Sequence, residues 1–119
     1  MSYVDGFIVA VPEKNLAKYR KVARACGKVW KEHGALTYVE CVGDDTPHGT
    51  LTSFPRAVKL EEGEVVVFSW ITYRSRRHRD AVNARVMADP RMKALMDPAT
   101  MVFDGKRLIY GGFRTMIAL

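Results

Sequence analysis

Cysteine occurs twice and histidine three times in the 119 residues, and neither is clustered. Cys26 and Cys41 show no C-x-x-C spacing and have no histidine pair nearby. They read as free, buried thiols in a helix and a strand, with a disulfide between them as the alternative that a thiol titration would exclude. His33, His48 and His78 form no i, i+4 pair and no carboxylate stands at ligand spacing, so no preformed metal site is expected. Long apolar runs are also missing. The opening MSYVDGFIVAV has no basic region leading into a long apolar stretch, which argues against a signal peptide or membrane span and for a cytoplasmic protein. No P-loop, G-x-G-x-x-G, nucleophile elbow or zinc-ligand cluster occurs, which sets aside nucleotide hydrolysis, dinucleotide chemistry and triad hydrolysis. No cofactor is expected, and there is no internal repeat or low-complexity segment.

What is present is ordinary globular composition, 48% hydrophobic and 27% charged, over a length that suits one domain spanning residues 1–119. The net charge of +6, with a sequence pI near 9.5, is the informative number. Such a surface field attracts anionic metabolites, nucleic acid or acidic lipid, and speaks to association rather than to fold.

Tyr3 to Val11 alternates, with Phe7, Val9 and Val11 on one face and Val4, Ile8 and Ala10 on the other, so both faces are apolar and the strand belongs in the middle of a sheet. Asp5 is the odd residue there and needs a partner. From Glu13 the period becomes helical: Leu16, Tyr19, Ala23, Cys26, Trp30 and His33 form one stripe, the lysines and arginines take the rest, and Gly34 supplies the cap. Ala35 to Val42 reads as a second strand on which Tyr38 and Glu40 point the same way. Gly43 to Pro55 reads as a long loop, either a lid or an edge excursion, followed by a short extended piece at Arg56 to Lys59.

Val65 to Tyr73 is a third strand, again apolar on both faces and therefore central. Ser75 is placed to cap a helix whose core side uses Ala81, Val82, Val86 and His78, and Asp89-Pro90 ends it and starts a short helical turn. Asp104-Gly105 is a turn signal, and Arg107 to Ile117 reads as the last strand, kinked or closely approached at Gly111-Gly112. The order is the ferredoxin-like βαββαβ pattern with an antiparallel sheet, an α+β fold. One sheet face takes both helices. The other is too apolar to stay wet, so a homodimer with sheets face to face, a dimeric α+β barrel, is expected.

The segments YVDGF, VWKEHGALTYVECVGDD, TSFPRAV, VVFSWI, HRDAVNARVMADPRM and MVFDGKRLIYGGF resemble, nearly end to end, an uncharacterised bacterial family, the YbaA-like domain of unknown function. The resemblance implies a small cytoplasmic protein of the dimeric α+β-barrel superfamily, in whose members a pocket often lies between sheet and helices. It carries over no reaction and no catalytic residue.

Read from the residues alone, Arg74, Arg76, Arg77 and Arg79 surround the first turn of the second helix, where positive charge opposes the helix dipole. They form either an anion site or a solvated cluster paired with Glu61, Glu62, Glu64, Asp44 or Asp45. His78 is the histidine best placed as a general base, set against a hydrogen-bonded structural role. Tyr38, Glu40 and Asp5 on one sheet would suit proton transfer if buried, or else would bond arginines such as Arg114. Trp70 is the candidate wall of an aromatic pocket, set against plain core. The functional expectation is a homodimer that binds, and in one version transforms, a small anionic or aromatic metabolite between sheet and helices. The alternatives are a nucleic-acid-binding module using the basic surface and a ligand-free structural or regulatory dimer. No membrane partner is expected.

Overall fold

The computed structural model describes residues 2–119. Its elements are β1 (Tyr3–Pro12), α1 (Leu16–Glu32), β2 (Thr37–Val42), a short α2 (Phe54–Ala57), β3 (Glu64–Tyr73), α3 (Arg76–Ala88), α4 (Pro90–Leu95) and β4 (Ile109–Arg114). The strands form one antiparallel sheet in the order β2-β3-β1-β4, which puts the two strands with apolar residues on both faces in the centre.

The pairing register fixes which side chains share a face. Tyr3, Asp5, Phe7, Val9 and Val11 of β1 lie opposite Tyr73, Ile71, Ser69, Val67 and Val65 of β3, and Ile71 and Ser69 in turn face Tyr38 and Glu40 of β2. This is the face that the long helices cover. Val29 of α1, Val82 and Val86 of α3 and Met92 of α4 pack with Tyr3, Ile71 and Tyr73, while Leu16 and Tyr19 pack with Val9, Val11 and Val67. Val82 and Val86 are fully buried, but Ala81 is exposed, because α3 meets the sheet along a narrower stripe than its sequence suggested. Ser75 caps α3 by accepting from the His78 amide at 3.1 Å.

Gly34, at φ +113°, lets the chain leave α1, and Ala35 donates its amide back to Trp30, which delays β2 to Thr37. The expected extended piece at Arg56 to Lys59 is instead the end of α2 and the bend that follows it. The reason is local: Ser53 accepts from the Arg56 amide at 3.0 Å, and Pro55 sits in the first turn, where its missing N–H costs nothing. The last strand is shorter than the sequence suggested. Gly105–Arg107 forms a 3-10 turn capped by Asp104, and the regular register ends at Arg114 opposite Tyr3, with one further bond from the Thr115 amide to the Ser2 carbonyl at 3.1 Å.

The second sheet face is largely open. Val58 and Leu60, delivered by the turn after α2, cover only its corner at Ala10 and Val66. Beyond that corner lie Phe68 at 40% exposure, Ile109 at 42% and Phe113 at 62%, with half-buried Val4, Ile8, Val39 and Trp70 among them. Phe54, Phe68 and Trp70 make a short aromatic row, with ring centroids 5.9 and 5.6 Å apart.

Candidate functional site

The helix-covered face holds two separate polar centres. The first is in a cleft of about 950 Å³ between α1 and β2, within the size range of small-molecule sites. Leu16, Ala17, Ala23, Val42 and Val67 give it apolar walls, and Tyr19, Tyr38 and Glu40 give it a polar inner surface. The Tyr19 hydroxyl donates to Glu40 Oε1 at 2.7 Å, and the Tyr38 hydroxyl donates to Oε2 at 2.8 Å. Burial, reinforced by the Glu40 carboxylate, pushes both phenols well above their ordinary titration range, so both protons stay in place. Cys26, half-buried beside them, is pushed up to about 11, chiefly by burial and then by Glu40. It is a resting thiol rather than a nucleophile at neutral pH. Arg20, Lys21 and Arg24 are exposed at the mouth.

Gly27 makes this geometry possible. A Cβ at Gly27 would stand 2.7 Å from Tyr38 Cδ1, so only glycine lets the ring lie against α1. Neither Gly27 nor Tyr19 was singled out for the site from the sequence. Tyr19 falls in the helical stripe and reads as core. Its link to Glu40 depends on where α1 crosses the sheet.

The second centre surrounds Asp5, which is 7% exposed. Arg79 enters from α3 and places its Nε 3.4 Å from Asp5 Oδ1, and its Nη2 donates to the Tyr3 hydroxyl at 3.0 Å while the guanidinium lies over the Tyr3 ring. Gly112 of β4 is opposite Asp5 and leaves room for this pair, since a Cβ there would collide with Tyr3 and Arg79. Close by, the Asn83 side-chain oxygen accepts from Trp30 Nε1 at 3.1 Å and from the Tyr73 hydroxyl at 3.2 Å. Burial holds the Asp5 carboxyl above its ordinary range, with Arg79 opposing.

Asp5 and Glu40 therefore share a sheet face but not a network. β3 separates their strands, Asp5 is in line with Tyr38, and each carboxylate has its own partners. The arginine that meets Asp5 is Arg79, while Arg114 is exposed at the end of β4. The four clustered arginines also divide. Arg79 turns inward, Arg76 stands 4.0 Å from Asp80, and Arg74 and Arg77 are exposed. Glu61 and Glu64 pair with Arg107 instead.

His78 accepts the Arg74 amide on Nδ1 at 3.0 Å and packs edge-on against Tyr73. Burial, then Arg74 and Arg85, lower its pKa. It braces the start of α3, away from the cleft. His33 lies 2.8 Å from Asp89, whose carboxyl Arg91 and then His33 hold well below the usual range. His48 sits in the exposed loop, where its carbonyl accepts from Arg56. Trp70 lies on the open face, so it does not wall a pocket between sheet and helices; parity along β3 sends it away from Ser69 and Ile71. Among the described residues no group of three or more His, Cys, Asp or Glu side chains is arranged to hold a metal ion, and no helix is long and apolar enough to cross a membrane.

A family model described as protein of unknown function (DUF1428) matches residues 2–105. The chain belongs to the DUF1428 family. The uncharacterized protein YbaA of Escherichia coli (strain K12) is 53% identical over 117 residues, covering 98% of both chains, and YbaA of Shigella flexneri is similar to the same extent. The family that the sequence segments resembled is thus the one found. Among solved structures, the de novo designed protein Foldit4 aligns over 97% of this DUF1428 chain and 99% of its own, with a TM-score of 0.50 and 13% identity. That likeness concerns the fold alone.

Proposed function

We propose that this DUF1428 protein is a ferredoxin-like homodimer that binds a small anionic or aromatic metabolite in the cleft between α1 and β2. The observation that carries the reading is the cleft itself: apolar walls, the Tyr19–Glu40–Tyr38 centre inside and Arg20, Lys21 and Arg24 outside. Fixed polar groups in an apolar hollow orient a ligand, and the outer cations attract an anion to it. The centre is suited to holding a proton donor or acceptor in place, and no reaction is assigned to it.

Surface area supports the dimer. The chain exposes 8259 Å², against about 6,500 Å² for a compact monomer of 13.4 kDa. The difference, roughly 1,800 Å² per chain, is of the size that permanent dimers bury. The open face is the natural place for it, and pairing two such faces gives a dimeric α+β barrel. Sedimentation equilibrium is expected to find twice the chain mass for the wild type. Phe68→Asp and, separately, Val39→Asp should sediment as folded monomers. A wild-type monomer, or variants that remain dimeric, would contradict this interface.

For the cleft, thermal-shift screening with small carboxylates, phosphates and quinones should find compounds that raise the midpoint, with the gain lost in Arg24→Ala. A screen in which none raises it counts against the ligand reading. The basic face of α1 favours a second reading as a nucleic-acid module, because Lys18, Lys21, Arg24 and Lys28 take part in no ion pair among the described residues. Binding of that kind weakens steeply with salt, and none at low salt ends it.

A further inference from the structure

The hydrogen-bond polarity of the cleft narrows the ligand, given the reading of the cleft as a binding site. Tyr19 and Tyr38 each have one proton to donate, and both protons are committed to the two oxygens of Glu40. A phenol that donates in this way still has an oxygen able to accept, and an ionised carboxylate only accepts. The inner surface of the cleft is therefore a set of acceptors backed by a negative charge. A ligand carbonyl or carboxylate placed there would find no donor and would meet like charge. A ligand hydroxyl, amine or ammonium group would find two or three oxygens to donate to.

The mouth has the reverse character. Arg20, Lys21 and Arg24 occur within one and a half turns of α1, all exposed and all outside any ion pair among the described residues. Leu16, Ala17, Ala23, Val42 and Val67 lie along the walls, where a charged or strongly polar middle segment would lose its water without replacement.

We propose that the cleft selects a small molecule with a hydrogen-bond donor at its inner end, an apolar or aromatic body and an anionic group at its outer end, the class that hydroxy- and amino-substituted aromatic acids represent. The donor end is read by the phenol oxygens and Glu40. The anionic end is read by the α1 cations, and the direction of binding follows from the two.

Three probes of nearly equal shape separate these features: 4-hydroxybenzoate, 4-methoxybenzoate, which cannot donate at the inner end, and 4-hydroxybenzamide, which lacks the charge. Titrated into the isotopically labelled full chain, 4-hydroxybenzoate should shift backbone amide signals of residues 16–24 and 38–42. The methoxy compound should bind about tenfold more weakly, the loss of one buried hydrogen bond. The amide should bind more weakly as well, and its affinity should not respond to salt, whereas that of the acid should fall. Tyr38→Phe and Tyr19→Phe each remove one acceptor and should reduce the gap between hydroxy and methoxy probes. Equal affinities of those two probes in the wild type would overturn the donor rule while leaving the cleft as a ligand site. Shifts absent from residues 16–24 and 38–42 with all three probes would overturn the site reading and this one together.

Discussion

Replacing Arg79 with alanine is expected to lower the unfolding free energy by about 3 kcal/mol at neutral pH, because it leaves a buried carboxylate without its counter-charge. For a chain of this size that corresponds to a fall in Tm of about 10 °C. Asp5 is 7% exposed on a central strand, and Arg79 is its ion-pair partner. The Asp5→Asn, Arg79→Ala double variant removes the charge as well as its partner and should recover a large part of the loss. A double variant no more stable than Arg79→Ala alone would show that Arg79 acts through packing on Tyr3 rather than through charge. The dependence on pH gives an independent check. Burial raises the Asp5 pKa above the ordinary 3.8, so its contribution to stability is fully present below that value and is lost as pH rises through the raised folded one. Removing Arg79 raises it further. The deficit of the variant should therefore be largest at neutral pH and should shrink as the medium is acidified toward pH 4.

Arg107→Ala should cost about 2 kcal/mol, through loss of charge-assisted hydrogen bonds that are worth more than neutral ones. Its Nη1 and Nη2 donate to the two Glu64 oxygens at 2.7 and 2.6 Å, and Nη1 also donates to the Lys59 carbonyl at 3.1 Å. The guanidinium thus ties the start of β3, the turn after α2 and the approach to β4 together. Arg107→Lys keeps a charge but not the two-pronged geometry, and should fall between wild type and alanine. Here the acid response has the opposite form. The hydrogen bonds from Arg107 are the main reason that the Glu64 pKa lies below the ordinary 4.5. The associated stability is present above 4.5 and is lost as pH falls through the lowered folded value. Urea denaturation at neutral pH and about pH 5 should therefore give the same deficit for Arg107→Ala, while that for Arg79→Ala is already smaller at the lower pH. A deficit for Arg107→Ala that vanishes at pH 5 would contradict the assignment to Glu64.

The contrast between these arginines explains where the sequence was legible. Alternation along Tyr3 to Val11 and Val65 to Tyr73 identified central strands, and Ser75 identified the start of α3, because strand period and helix caps are local properties. Parity also placed Tyr38 with Glu40, and Trp70 with Phe68 and Val66. It does not say which side of the sheet receives the helices, and Trp70 went to the open side. Ion-pair partners were not legible for a different reason. Arg76, Arg77 and Arg79 have similar neighbours along the chain, and only Arg79 comes round the helix above Asp5, 74 positions away. The Tyr19 to Glu40 bond likewise depends on the crossing of α1 over β2. The short α2 was hidden because Phe-Pro in a polar stretch reads as loop until Ser53 is seen to cap it.

Gly27 links the cleft to the stability of α1 itself. A glycine inside a helix costs about 1 kcal/mol of intrinsic helix preference relative to alanine, and Asn15, the residue that precedes α1, gives it no side-chain cap. The helix is therefore held largely by what it packs on, including the Tyr38 ring that fits against Gly27. Local opening of α1 and loss of the cleft are then one event, since the ring, Glu40 and the helix must separate together. Any molecule that binds only the closed cleft holds that opening back by an amount its own affinity and concentration set, so its binding strength can be read from the slowing of amide hydrogen exchange along α1.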